Sequence, residues 1–197
     1  YLDTGWVSSD STIELPDSTS VWSADKSSIG INDPVKLTWT SGQNITFEKI
    51  ISLDENYLFN VDQRVINNSG LSFDLYPYGL SKRQGIPEMQ NFFILHEGPL
   101  SITDGVLEEY DYDDLKDDKK IKHSSIGGWI GMTDKYWQTA IIPDQNEPVQ
   151  QTYSYSFVDS VDNFQTAIVG EKISVSNTSS ISHNFKIFAG PKIVNVI

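Results

Sequence analysis

The chain contains no cysteine. Disulfides, thiolate metal sites and thiol nucleophiles are excluded outright. The compartment stays open, because an oxidising space permits disulfides without requiring them. Long apolar runs are missing as well: no window approaches the roughly 18 consecutive apolar residues of a membrane-spanning helix. The opening YLDTGWVSSD has neither a basic start nor an apolar core, so it does not read as a signal peptide. Positive charge is scarce, with 14 Lys and Arg against 27 Asp and Glu and a net charge of -13. Such a surface repels phosphate backbones, which argues against nucleic acid as a partner. Neither a G-x-S-x-G elbow, a phosphate loop nor a dinucleotide fingerprint occurs.

What is present describes a globular chain. Its 197 residues suit one domain, 1–197, and 38% hydrophobic with 12% aromatic residues is enough to build a core. Period-two alternation, the mark of half-buried strands, recurs almost everywhere. In VKLTWT, Val35, Leu37 and Trp39 share a face. In NITFEKIISL, Ile45, Phe47, Ile51 and Leu53 share a register that Lys49 interrupts. Tyr57, Phe59 and Val61 follow, and LSFDLYPYG, QQTYSYSFV, EKISVS and NFKIFAG continue the pattern. Turn-formers separate these runs: TSGQN, LDEN, NNSG, DSVDN and SNTSSIS. The short, even spacing fits hairpins, and no apolar stripe at helical period supplies parallel crossovers. The expectation is an all-β, antiparallel chain of two packed sheets. Residues 107–125, LEEYDYDDLKDDKKIKHSS, break the pattern. The early part could be a strand, with Leu107, Glu109 and Asp111 alternating against Glu108, Tyr110 and Tyr112. DDLKDDKK has the charge order of a helical turn, but the segment reads best as an exposed connection.

The candidate chemistry is thin. The carboxylates of 108–118 fail the calcium-loop pattern, since the sixth and twelfth positions counted from Asp111 are Lys116 and Lys122. They read as a solvated charged face. Of the three histidines, only His96, beside Glu97, resembles a general-base pair. Neighbours on a strand point to opposite faces, so that pair needs a bulge to act together. Asn44, Asn67 and Asn177 sit in N-x-S/T triplets of the kind a chain rich in these residues contains by chance. Trp129, Tyr136 and Trp137 offer an aromatic platform for a sugar, an apolar peptide or a lipid. Their competing reading is a buried strand pair, Trp129 to Met132 and Tyr136 to Ile142, with Gly127, Gly128 and Gly131 allowing close backbone approach. Residue chemistry favours the core.

The order of several motifs adds a resemblance. SSIGGWIGMTDKYWQTAIIPD resembles the GGW and Y/F-x-x-A-x-I/L-P stretch of the large periplasmic domain of the YidC membrane protein insertases. WTSGQNITFEKIISLDENYLFNVDQRVINNSG, FFILHEGPLSITDGVLEEYDYDDLKD and FKIFAGPK resemble further segments of that domain in the same order. The resemblance implies a β-supersandwich of the galactose mutarotase-like kind, with at most short helical segments, cut from between the first and second transmembrane helices of a longer chain. It implies a non-catalytic periplasmic domain of an inner-membrane protein, without cofactor or metal, that meets the membrane only through helices absent here. The implied partners are the Sec translocon and inserting membrane proteins, with Phe188, Gly190, Pro191 and Lys192 coupling the domain to the membrane core. A mutarotase-like fold also leaves a cleft that could take an apolar peptide or a glycan, although fold alone does not carry function.

Overall fold

Fifteen strands and one short helix make up the regular structure of residues 1–87 and 96–192, the residues that this computed structural model describes. The first sheet runs β1 (Leu2–Val7), β6 (Phe73–Gln84), β13 (Val161–Val169), β12 (Pro148–Val158) and β9 (Lys120–Ile126), with β14 (Ile173–Val175) also paired to β6. The second runs β2 (Ser23–Ala24), β3 (Val35–Thr40), β4 (Ile45–Leu53), β5 (Leu58–Asn67), β15 (Ser180–Pro191), β11 (Trp137–Ile142), β10 (Trp129–Thr133), β7 (Gly98–Thr103) and β8 (Val106–Glu109). Every ladder between these strands is antiparallel. The all-β, antiparallel, two-sheet expectation therefore holds.

The core lies between the sheets, in two clusters. One gathers Ile130, Ile141, Tyr153, Phe164, Ile168 and Phe185; the other gathers Trp6, Phe47, Val65, Phe73 and Leu75. Alternation explains most of this list. On β5, for instance, Val61, Gln63, Val65 and Asn67 all point inward. Some of the polar groups that follow the pattern inside are tied down, although the Gln63 amide has no hydrogen-bond partner among the described residues. The Gln151 amide donates to the Ile102 carbonyl at 3.0 Å and accepts from the Thr103 hydroxyl at 2.7 Å, fastening β12 to β7.

Several local expectations need correction. Residues 107–125 are not an exposed connection: β8, helix α1 (Tyr112–Asp118) and β9 occupy nearly all of them. Tyr112 and Leu115, three apart on one helical face, are buried, and the Tyr112 ring meets Phe164 edge-on at 4.6 Å. The Asp111 amide donates to the Asp114 carboxylate at 3.2 Å at the helix start, and Lys119 ends the helix with φ 59°. An acidic surface thus masks a two-residue apolar anchor. DSVDN is not all turn, because β13 begins at Val161 and only Asp159 and Ser160, both at positive φ, make the hairpin reversal. Tyr57 lies before β5 with φ 62° and is largely exposed. Lys49 does not break β4, since its chain crosses to β1 and its ammonium donates to the Thr4 carbonyl. The FFIL run at 92–95 and the tail at 193–197 lie outside the described residues.

Candidate functional site

The hairpin singled out in the sequence is real, but its aromatics do not form one platform. β10 and β11 pair from Ile130 opposite Ile141 to Thr133 opposite Gln138. Trp129 and Trp137 therefore stand at opposite ends of the hairpin, about 16 Å apart along it. Trp129 is half-buried opposite Ile102, and its carbonyl faces the Gln151 amide at 3.5 Å. Tyr136 and Trp137 are 64% and 59% exposed, which overturns the reading of Trp137 as core. The physical reason is position: the hairpin residues that enter the core are Ile130, Met132 and Ile141, and Trp137, although it has the parity of Ile141, is the first residue of β11 beside a turn.

His96 and Glu97 are not joined by any hydrogen bond among the described residues. The His96 ring faces the Pro99 carbonyl through Nε2 at 3.1 Å and Asp111 through Nδ1 at 3.8 Å. A His–Glu pair does exist elsewhere. His183 Nε2 lies 2.8 Å from the Glu147 carboxylate, in a pairing that joins β15 to the turn before β12. Sequence reasoning passed over it because 36 residues separate the two. His123 is used differently again, with Nε2 2.8 Å from the Tyr110 hydroxyl. The Asn67 triplet is closed to modification: the side chain is fully buried and donates to the Leu71 and Ser176 carbonyls at 2.7 and 3.0 Å.

The residues expected to couple the domain to the membrane core fall together. Phe188 is buried and opposite Ala140, while Pro191 is opposite Trp137. The Lys192 amide donates to the Tyr136 carbonyl at 2.8 Å. Tyr57 packs so closely on Gly190 that a Cβ there would lie 2.7 Å from the tyrosine's own Cβ.

One concave feature was not foreseen. A groove of about 480 Å³ follows β3, β4, β5 and β15 and is lined by Val35, Leu37, Ile51, Phe59 and Ile187, with Leu2 on its far wall. A second cleft of about 340 Å³ continues it past Asp3, Thr4 and Lys49, into a chamber of Trp6, Trp22, Phe47 and Tyr78. Lys49 divides the two. Its ammonium lies 5.3 Å from the Trp22 ring, within cation–π range. The Tyr78 hydroxyl donates to Asp3 at 2.9 Å, and burial together with the Asp3 charge pushes its pKa upward. Chemically, the cleft offers an apolar trough and an aromatic chamber with one cation and one anion at their junction. Its walls come from β1, β3, β4, β5, β6 and β15, and no local motif announces such an assembly.

The two stacked antiparallel sheets place the chain in the galactose mutarotase-like class of β-sandwich. A solved galactose mutarotase related enzyme from Lactobacillus acidophilus superposes with a TM-score of 0.57 over 87% of this chain and 73% of that one, at 9% identity. That likeness concerns the fold alone. The model of the YidC periplasmic domain matches residues 1–197, and the chain belongs to that family. Among its relatives are proteins named membrane protein insertase YidC. The one from Pelagibacter ubique is 39% identical over the whole of this chain and 34% of its own length. Those from Bradyrhizobium diazoefficiens and Rickettsia bellii are 36% and 35% identical, covering 32% and 35% of their lengths. The chain thus spans about a third of the curated relatives it matches, as a periplasmic domain of an inner-membrane protein.

Proposed function

We propose that this chain is a non-catalytic scaffold and partner-docking module within a YidC-type membrane protein insertase, serving the insertion and folding of inner-membrane proteins beside the Sec translocon. The observation that supports it is the way β15 is built in. It pairs with β5 at nine positions and with β11 at six, so it lies in the interior of the larger sheet and not at an edge. A displacement at Pro191 and Lys192 is shared by two long ladders, which suits a rigid coupling element. The relatives' name supplies the setting.

The test uses the full-length protein in cells depleted of their own insertase. Photo-crosslinking residues at the exposed positions Leu107, Ile126 and Phe157 are expected to capture a translocon subunit from at least one face. Capture of none removes Sec docking. His96→Gln and Glu97→Gln are expected to leave insertion unchanged, and loss of insertion in either would put chemistry back into the domain.

The continuous cleft favours a second reading, in which it holds an extended apolar peptide or a glycan without turning it over. Trp6, Trp22 and Tyr78 offer ring faces, and Lys49 and Asp3 offer polar contacts. Calorimetry against a peptide and glycan panel tests it: saturable binding lost in Trp22→Ala supports the reading, and an empty panel removes it.

A further inference from the structure

We infer that the middle of the sandwich holds a water-binding site, between the side chains of Gln63 and His183. The inference goes beyond the scaffold reading and is independent of what the cleft takes.

Register places the site. Lys49 on β4 lies opposite Gln63 on β5, and Gln63 lies opposite His183 on β15. Parity turns all three toward the other sheet, and directly opposed side chains start about 5 Å apart. Apolar rows flank this polar one. Phe47, Val65 and Ile181 lie on one side, in or against the second core cluster. Ile51, Val61 and Phe185 lie on the other, and Phe185 belongs to the first cluster. A polar seam thus crosses three adjacent strands, between residues of the two clusters.

The ends of the seam are satisfied and its middle is not. At one end the Lys49 ammonium donates to the Thr4 carbonyl and lies 3.4 Å from Asp3. At the other, His183 Nε2 meets the Glu147 carboxylate at 2.8 Å. Gln63, between them, is 0% exposed, yet neither its amide oxygen nor its amide nitrogen has a hydrogen-bond partner among the described residues. The same holds for Nδ1 of His183, whose side chain is 9% exposed. An acceptor, a donor and an imidazole nitrogen are therefore left in adjoining positions. Buried polar groups are nearly always paired, and leaving three such atoms dry costs more than immobilising one water.

The chemistry of the seam selects the ligand. It both donates and accepts, because Gln63 offers an oxygen and an NH2 group. It is neutral, because Asp3 already faces Lys49 and His183 already faces Glu147. It is small, because Phe185 and Trp6 pack against the imidazole with ring centroids at 4.5 and 6.2 Å. Water meets all three conditions and is the usual partner of buried groups of this kind. Its way in is the Lys49 end, since Lys49 lines both clefts.

The chain closes both hydrophobic clusters from its own residues, so it is tested by itself in solution. The measurement is NMR cross-relaxation between water and the isotope-labelled wild type. Water cross-peaks are expected at the Gln63 side-chain amide and at the carbon-bound Hε1 of the His183 ring, with the sign of a molecule that tumbles with the protein. The carbon-bound proton does not exchange with solvent during the measurement, so its cross-peak reports proximity. Gln63→Leu is expected to abolish the His183 cross-peak. A wild type lacking either cross-peak overturns the inference. A scalar coupling across a direct hydrogen bond from the Gln63 amide to Nδ1 overturns it in favour of a dry pair. A His183 cross-peak undiminished in Gln63→Leu overturns it too, because such a water does not bridge the two residues. If Gln63→Leu does not fold, the two wild-type cross-peaks decide alone.

Discussion

His183 and Glu147 meet at 2.8 Å inside the sandwich, where the imidazole packs 4.5 Å from the Phe185 ring and edge-on at 6.2 Å from Trp6. The His183 side chain is only 9% exposed, and its Nδ1 has no protein partner. Glu147 therefore bonds the one nitrogen that a protein group reaches, and it fastens the β11–β12 turn to β15. Removing one member of such a pair strands the other. Glu147→Ala is expected to cost about 2 kcal/mol in urea denaturation. The double variant His183→Leu with Glu147→Leu should recover much of that loss, because two apolar groups leave nothing unpaired. Additive losses in the double-mutant cycle would show that the two residues do not act as a pair.

Gly131 sits where β10 and β11 approach most closely. A Cβ there would lie 1.8 Å from the Thr139 carbonyl oxygen, and backbone cannot step aside as a flexible side chain can. Gly131→Ala should lower stability by about 3 kcal/mol. Gly70, at φ 85° with open space around it, is the control. Gly70→Ala should cost only the left-handed backbone penalty, about 1 kcal/mol. Thermal melts of the two variants give the comparison, and equal shifts would refute the close approach.

Trp137 contributes little to stability if it is the exposed side chain described above. Trp137→Ala should change the unfolding free energy by no more than about 0.5 kcal/mol. Trp6→Ala, buried in the second core cluster, should cost about 3–5 kcal/mol. A large loss for Trp137→Ala in urea titrations would restore it to the core.

Alkaline pH offers a probe of the helix anchor. Burial raises the Tyr112 phenol from 10.0 to about 12, with the nearby Arg83 opposing the shift. The folded pKa is above the unfolded one, so the contribution is complete below pH 10.0 and is lost as pH rises through about 12. The loss across that window is about 3 kcal/mol at most. Denaturation midpoints measured against pH should fall more steeply for the wild type than for Tyr112→Phe. Parallel curves would remove Tyr112 as the cause.

Local pattern revealed the sheets because alternation is a local property. Ile45 with Phe47, and Ile130 with Met132, announce their faces within three residues. β1 gave no such sign, since Thr4, Gly5 and Trp6 are buried in succession. Helix α1 hid behind its acids because two apolar residues are too few to define a period. The cleft and the His183–Glu147 pair are assembled by long-range register, which no window of the sequence contains. Tyr136 and Trp137 were visible as residues, yet their exposure depends on which end of a hairpin they occupy.

The placement of β15 also sets a timetable. Val65 on β5 waits for Ile181 as its partner, and Ala140 on β11 waits for Phe188. A chain delivered N-terminus first has nearly all of its strands out before the one that joins the two halves of the larger sheet. Until then β5 and β11 are open edges beside apolar surface, the condition in which chains stall or stick to one another. Closure depends on contacts between distant parts of the chain, so it is slow and comes late. The larger sheet is completed in a single late event, when β15 slides between β5 and β11.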